Sequence, residues 1–385
     1  MLAWLAALWM IPAPCLASGQ PEALTPTCLL DHVDPDRLMA TLTALPPSRS
    51  PRGGEENQRA LVKMEEWLVE QLRAMGFEPQ VLPIHGPGPE FEGGPERWHN
   101  IVVEIPGRGQ AQAHAPDAPS DRASTDGEGR ARRPAGGDDT ANQPASLPPP
   151  EVLVLSAHFD SVQGSPGADD DGTGVAALLE IARILKESHK ADPLDRTVRL
   201  CFFNLEETGL VGSRDYCSHI LRHRINNDQE KVIGMVSLEM LGYFTDAPDS
   251  QASPLKVLPD GTPAPTVGDF IAVVGIAAHQ EFSKALADAM ASGEPTMPVH
   301  RADYFPIPIP DILRSDHAPF LLLGVPAVML TDTANFRNPN YHRASDSIAT
   351  IDAERFAKVV RAVLAAAITL AGADEDRHEG SEPLR

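Results

Sequence analysis

The sequence predicts an α/β fold, a single globular domain with a mostly parallel, twisted central sheet and helices on both faces. Three observations carry the prediction. The runs EVLVLSA, TVRLCFFNL, VIGMVSLEM and VPAVML are short and continuously apolar, as strands buried on both faces must be. Helical stretches with apolar residues at three- and four-residue spacing lie between them, which is the alternation that builds parallel sheets. Each of the first three runs also ends in histidine or acidic residues, at the sheet end where open α/β folds bind ligands.

In chain order, residues 34–84 read as helix, helix, strand. Asn57 to Met75 carries Leu61, Met64, Trp67, Leu68 and Leu72 on one stripe, and Gly76 is its natural stop. PQVLPI and NIVVEIP follow as two short strands. After EVLVLSA comes a helix over Gly174–Leu185, then TVRLCFFNL, then a helix over Val211–Leu221. VIGMVSLEM, FIAVVG, a helix over Ala277–Met290, VPAVML and a helix over Ala353–Leu370 complete the order. The proline-rich stretches Asp246–Val267 and Pro295–Pro310 read as long loops, which in compact domains are usually functional.

This domain spans residues 30–372, with one segment before it, one after it and one interrupting it. Leu2 to Ile11 is too short to span a bilayer and ends in small and turn residues, so residues 1–18 read as a secretory signal and the protein as exported to the periplasm or beyond. Pro14 directly before Cys15 argues against a lipoprotein anchor there. Residues 108–150 lack aromatic and nearly all large aliphatic side chains, so they read as a disordered insertion between two strands, with a disordered tail over residues 373–385. Cys28, Cys201 and Cys217 remain beyond the signal, too few for a disulfide scaffold. A Cys201–Cys217 bridge suits an oxidising compartment but is not required.

The charge balance narrows the partners. With 54 acidic and 32 basic residues among 385, the formal net charge is −22. Phosphate recognition needs a basic face, so nucleic acid and anionic membrane are excluded as main partners. An excess of carboxylates suits divalent cations.

The strand ends supply candidates for such a cation. His158 is followed two residues later by Asp160, whose carboxylate can fix the imidazole tautomer of a metal-bound histidine. Asp169, Asp170 and Asp171 read either as a cap for the next helix or as a source of one metal ligand, because three adjacent carboxylates repel. Glu206 and Glu207 end a buried strand, where one can bind metal and the other act as a general base. Glu239 ends the next strand, and His342 has Asp346 four residues on as a support.

Six blocks in this order, H-x-D, G-A-D-D-D-G, E-E-x-G-x-x-G-S, E-M-L-G-Y, S-D-H-A-P-F and N-P-N-Y-H-x-x-x-D, resemble the co-catalytic di-zinc aminopeptidase family, which includes secreted leucyl aminopeptidases, glutamate carboxypeptidases and glutaminyl cyclases. The resemblance runs from about Asp34 to Leu370 outside the insertion. It implies two zinc ions, one held by His158 and Glu239, the other by Glu207 and His342, with Asp170 bridging. It further implies Glu206 as general base and Asp160 as support of His158. At the position of Glu239 the best-known members use Asp, so this chain carries an extra methylene there. Two zinc ions about 3.5–4 Å apart would activate a shared water for peptide hydrolysis. The implied substrates are peptides with a free N-terminus, and Asp316, His317 and Tyr341 are the candidate substrate contacts. Ser315-Asp316-His317 also reads as a helix N-cap. A carboxypeptidase, using Arg314, Arg337 or Arg343 to grip a carboxylate, a glutaminyl cyclase and a non-catalytic interaction module are the alternatives.

Overall fold

The computed structural model describes residues 26–85, 97–108, 148–190, 193–258, 261–304 and 310–372. The signal segment, the C-terminal tail and nearly all of the insertion expected from the sequence lie outside the described residues.

Eight strands form one sheet in the order β1-β2-β4-β3-β5-β8-β6-β7. They are β1 (Gln80–Pro83), β2 (His99–Ile105), β3 (Glu151–His158), β4 (Thr197–Phe203), β5 (Lys231–Glu239), β6 (Ile271–Val274), β7 (Val299–Ala302) and β8 (Ala327–Thr331). The central four, β4-β3-β5-β8, are mutually parallel. Both margins reverse direction: β2 runs antiparallel to β4 and to β1, and β6 antiparallel to β8. β7 was not foreseen; it lies inside the stretch read as a loop and pairs parallel to β6 at the sheet edge.

The strands that look uniformly apolar still sort their side chains by alternation. Leu153, Leu155 and Ala157 of β3, and Val198, Leu200 and Phe202 of β4, enter the larger core. Val152, Val154, Cys201 and Phe203 enter the smaller one. Period two therefore fills two layers at once, which is why these runs read as almost continuously apolar.

The larger core is closed by α2 (Pro35–Ala44), α3 (Glu55–Ala74), α4 (Gly172–Ser188), α7 (Gln280–Gly293) and α9 (Ala353–Ala371). α4 is apolar nearly all round and buried along almost its whole length, because it packs against the sheet, α2 and α9 together. The smaller core is closed by α5 (Val211–Tyr216) and α8 (His317–Leu322). The helix expected over Val211–Leu221 is interrupted by a π-type turn at Cys217–Leu221 and continues as α6 (Arg222–Asn226). Cys201 and Cys217 are buried free thiols rather than a bridge. No helix among the described residues is long and apolar enough to cross a membrane.

Candidate active site

Topology puts the carboxyl ends of β3, β4, β5 and β8 side by side, and every candidate ligand is delivered there. His158 ends β3, Glu206 and Glu207 form a 3₁₀ turn after β4, and Glu239 ends β5. His342 comes from the loop after β8, and Asp170 from the turn before α4. Several of these segments bend through the left-handed region: Leu205 (φ 61°) before Glu206, Met240 (φ 55°) after Glu239, and His342 itself (φ 58°). Such conformations cost free energy in non-glycine residues and persist where the surroundings hold them.

Of the three aspartates, only Asp170 faces the site. Asp171 caps α4 by accepting from the Gly174 N–H at 3.1 Å, and it also accepts from the N–H groups of His158 and Met240, both at 3.1 Å. One carboxylate thus fastens the ends of β3 and β5 to the start of α4. Asp169 accepts from Gly242 N–H at 2.9 Å and Asn338 Nδ2 at 2.8 Å, tying the loop after β8 to the same turn. The cap reading of the triplet therefore falls to Asp171, and Asp170 is left facing the site.

Asp160 stands beside His158, its Oδ1 at 3.4 Å and its carbonyl at 3.2 Å from Nδ1. Its carboxylate also accepts from the N–H groups of Glu206 (3.0 Å) and Glu207 (3.2 Å), which sets the aim of the glutamate turn. Asp346 does not support His342. It accepts from the N–H groups of Asp169 (2.9 Å) and Asp170 (3.2 Å) instead. The i, i+4 neighbour rule holds on a helix, and His342 lies in a turn.

The ligand atoms converge in two groups that share Asp170. His158 Nε2 lies 3.2 Å from Asp170 Oδ1 and 3.6 Å from Glu239 Oε1. His342 Nε2 lies 3.2 Å from both Asp170 Oδ2 and Glu207 Oε2. Within each group the donor atoms fall inside 4.8 Å of one another. His158 Nε2, Asp170 Oδ2 and Glu207 Oε1 are buried without a hydrogen-bond partner. Buried polar atoms without partners, drawn from an imidazole and carboxylates, fit a bound divalent cation of the zinc type.

Electrostatics agree. Burial pushes the Glu207 carboxyl up to about 7, with Asp170 adding to it, and lifts Glu206 well above its usual range. Burial opposes charge on His342, but Asp170 and Glu207 outweigh it and raise the imidazole to about 10. Burial would raise Asp170 as well, yet the two histidines beside it hold it low. Four close carboxylates need more positive charge than two imidazoles supply.

The expected substrate contacts divide. Tyr341 stands at the site, its ring stacked on His342 at 3.7 Å and its hydroxyl accepting from Arg314 at 2.7 Å. Asp316 and His317 are fully buried and do not reach the surface of the cavity. Burial pushes His317 down to about 4. Asp316 precedes α8 but makes no capping hydrogen bond, so the N-cap reading does not hold either. Ser315 contributes instead, donating to Glu239 Oε2 at 2.8 Å while touching Ser237 Oγ at 2.9 Å.

Two residues escaped the sequence reading. Arg49 is buried and donates to the carbonyls of Phe159 (2.8 Å), Pro166 (3.1 Å) and Gly167 (2.8 Å), clamping the loop that carries Asp160. Asn338, within N-P-N-Y-H, anchors Asp169 as described. No local pattern marks an arginine whose partners are backbone carbonyls, one of them nearby at Pro46 and three of them more than a hundred residues away.

The site opens into a cavity of about 330 Å³ whose wall includes Glu206, Glu207, Glu239, Arg214 and Arg314. A second cavity of about 180 Å³ adjoins it, sharing Glu239, Arg314 and Tyr341, and is lined by Phe270, Ile312, Met329 and Phe336.

The profile of peptidase family M28 matches residues 140–367. The chain belongs to peptidase family M28. Among its relatives in sequence, the uncharacterized protein YfbL of Escherichia coli is 33% identical over 221 residues, covering 55% of this chain and 65% of that one. The probable lipoprotein aminopeptidase LpqL of Mycobacterium tuberculosis is 30% identical over 229 residues, covering 52% of this chain and 39% of that one. The chain thus spans less than two thirds of the curated relatives it matches. In fold it is similar to the Legionella pneumophila LapA aminopeptidase, with a TM-score of 0.61 at 20% identity over 91% of this chain and 75% of that one.

Proposed function

We propose that this M28 protein is an exported zinc-dependent exopeptidase that removes N-terminal residues from peptides, with Glu206 as the general base. The observation that supports this best is the sharing of Asp170 between two ligand groups, His158–Asp170–Glu239 and Asp170–Glu207–His342. When bound there, two zinc ions supply an activated water and a polarised scissile carbonyl. Glu206 would carry a proton from the attacking water to the departing amine, a task suited to a carboxyl that burial has raised. Asp160 holds the turn that aims Glu206. Export rests on the N-terminal segment 1–18.

The cavity wall favours a free amine over a carboxylate, because Glu206, Glu207 and Glu239 outnumber the arginines on it. The adjoining cavity, with Phe270, Ile312, Met329 and Phe336, suits a large apolar side chain on the first residue. One observation favours a carboxypeptidase as the second reading: Arg214 and Arg314 stand on the wall and could hold a carboxylate. Arg314 is already engaged with Asn335 and Tyr341, at 2.7 Å each. Arg337 is buried and bound to Gln251 and the Phe270 carbonyl, so it is withdrawn from that role.

The test is turnover of free-amine and N-acetylated dipeptides with and without a chelator. Leu- or Phe-initiated dipeptides with a free amine should be cleaved, their acetylated forms spared, and activity lost to the chelator and restored by zinc. Equal cleavage of the acetylated forms would make it a carboxypeptidase. Cyclisation of N-terminal glutamine without hydrolysis would make it a cyclase, and a protein that binds no zinc would be an interaction module.

A further inference from the structure

We propose a second, peripheral divalent-cation site formed by His85, Asp215 and His219, apart from the ligands of the active site. His85 lies two residues beyond the end of β1. Asp215 and His219 stand four residues apart, where α5 passes into its π-type turn, so both project to one side. His219 Nδ1 lies 3.0 Å from Asp215 Oδ1, and His85 Nδ1 lies 3.5 Å from Asp215 Oδ2. The three residues offer ligand atoms within 4.8 Å of one another. Two ligands bonded to tetrahedral zinc at ~2.0–2.1 Å stand ~3.3 Å apart, so the spacing is that of a cage around such an ion.

The donors are also prepared for the task. The Asp215 side chain is only 7% exposed and is fixed by the His85 backbone N–H, which donates to Oδ1 at 3.0 Å. The two imidazoles are 53% and 57% exposed, so an ion can enter from solvent and keep a position for water. Their rings tilt by 49° with centroids 5.2 Å apart, converging on the carboxylate rather than stacking on each other. Two imidazoles and one carboxylate suit zinc, nickel or copper, and the chain's net charge of −22 concentrates any such cation. The bland alternative is a clamp in which the histidines merely hydrogen-bond Asp215. A bound ion would fasten the edge strand β1 to α5, whose Arg214 lines the acidic cavity together with Leu210 just before the helix.

The experiment counts zinc bound by the untagged full chain, already loaded at its active site, in equilibrium dialysis against further zinc. The wild type should take up one more equivalent and melt at a higher temperature with added zinc, while His85→Asn and His219→Asn lose both effects and keep full peptide turnover. Glu207→Gln, which alters the active site, should keep the additional equivalent, so failure here is distinguishable from failure of the peptidase reading. An additional equivalent that persists in both histidine variants overturns the proposal, as does a wild type that takes up none.

Discussion

Glu206 and Ser315 illustrate how single side chains divide the labour at this site. On the proposed mechanism Glu206 is the proton carrier, and Glu206→Gln keeps the size of its side chain. That variant is expected to retain its metal while turnover falls by about 10²–10⁴-fold, read by metal analysis beside steady-state kinetics. Ser315 donates to Glu239, the proposed ligand that stands where the family resemblance leads one to expect a shorter Asp, so it fixes where that longer arm ends. Ser315→Ala should lower metal affinity about 10–100-fold at one of two ions, measured by competition with a chromophoric chelator. An unchanged affinity would show that Ser315 serves only the packing around Ser237. The histidines and acids were legible because charged groups cannot end a buried strand without partners. Ser315, Arg49 and the true role of Asp346 were not, since each depends on which distant backbone groups the fold brings alongside.

Among the elements, the strands buried on both faces declared themselves through apolar runs of the right length. β7 did not: VHRA is short, partly exposed and half polar, so nothing in it distinguishes an edge strand from a loop. The break in the helix after Tyr216 was equally hidden, because helical spacing reads the same on either side of a π-type turn. β4 carries one exception to its apolar run, Arg199, whose guanidinium forms a bidentate pair with Glu230 at 2.7 and 2.6 Å and meets Glu104 at 2.6 Å. Burial would raise the Glu230 carboxyl, but Arg199 outweighs it and holds it below its usual range. A carboxyl depressed in the folded state stabilises above its unfolded pKa, ~4.3, and that contribution disappears as pH falls through the folded value. Glu230→Gln should therefore cost roughly 3 kcal/mol at neutral pH, and the gap to wild type should close on acidification below about pH 4. Urea unfolding of both proteins across that range checks it, and a gap independent of pH would contradict the assignment.

For the molecule as a whole, the sequence announced an α/β sheet covered on both faces but not its reversed margins, because strand direction is decided by partners far along the chain. The insertion between β2 and β3 begins and ends on the folded body: Arg108 N–H donates to Leu194 at 2.7 Å, and the Pro150 carbonyl accepts from Lys231 at 2.9 Å. We expect deletion of Gln110–Leu147, bridged by a short glycine-serine linker, to leave the melting temperature and turnover nearly unchanged. A loss of either would assign that segment a role its composition does not suggest.

The carboxylate of Asp171 has a consequence for how the protein acquires its metal. It joins β3, β5 and α4 at one point, so His158, Asp170 and Glu239 gain their mutual positions only after long-range assembly is nearly finished. A nascent chain offers scattered single ligands, each too weak to trap an ion. On the proposed reading, metal capture then follows assembly of the sheet rather than guiding it.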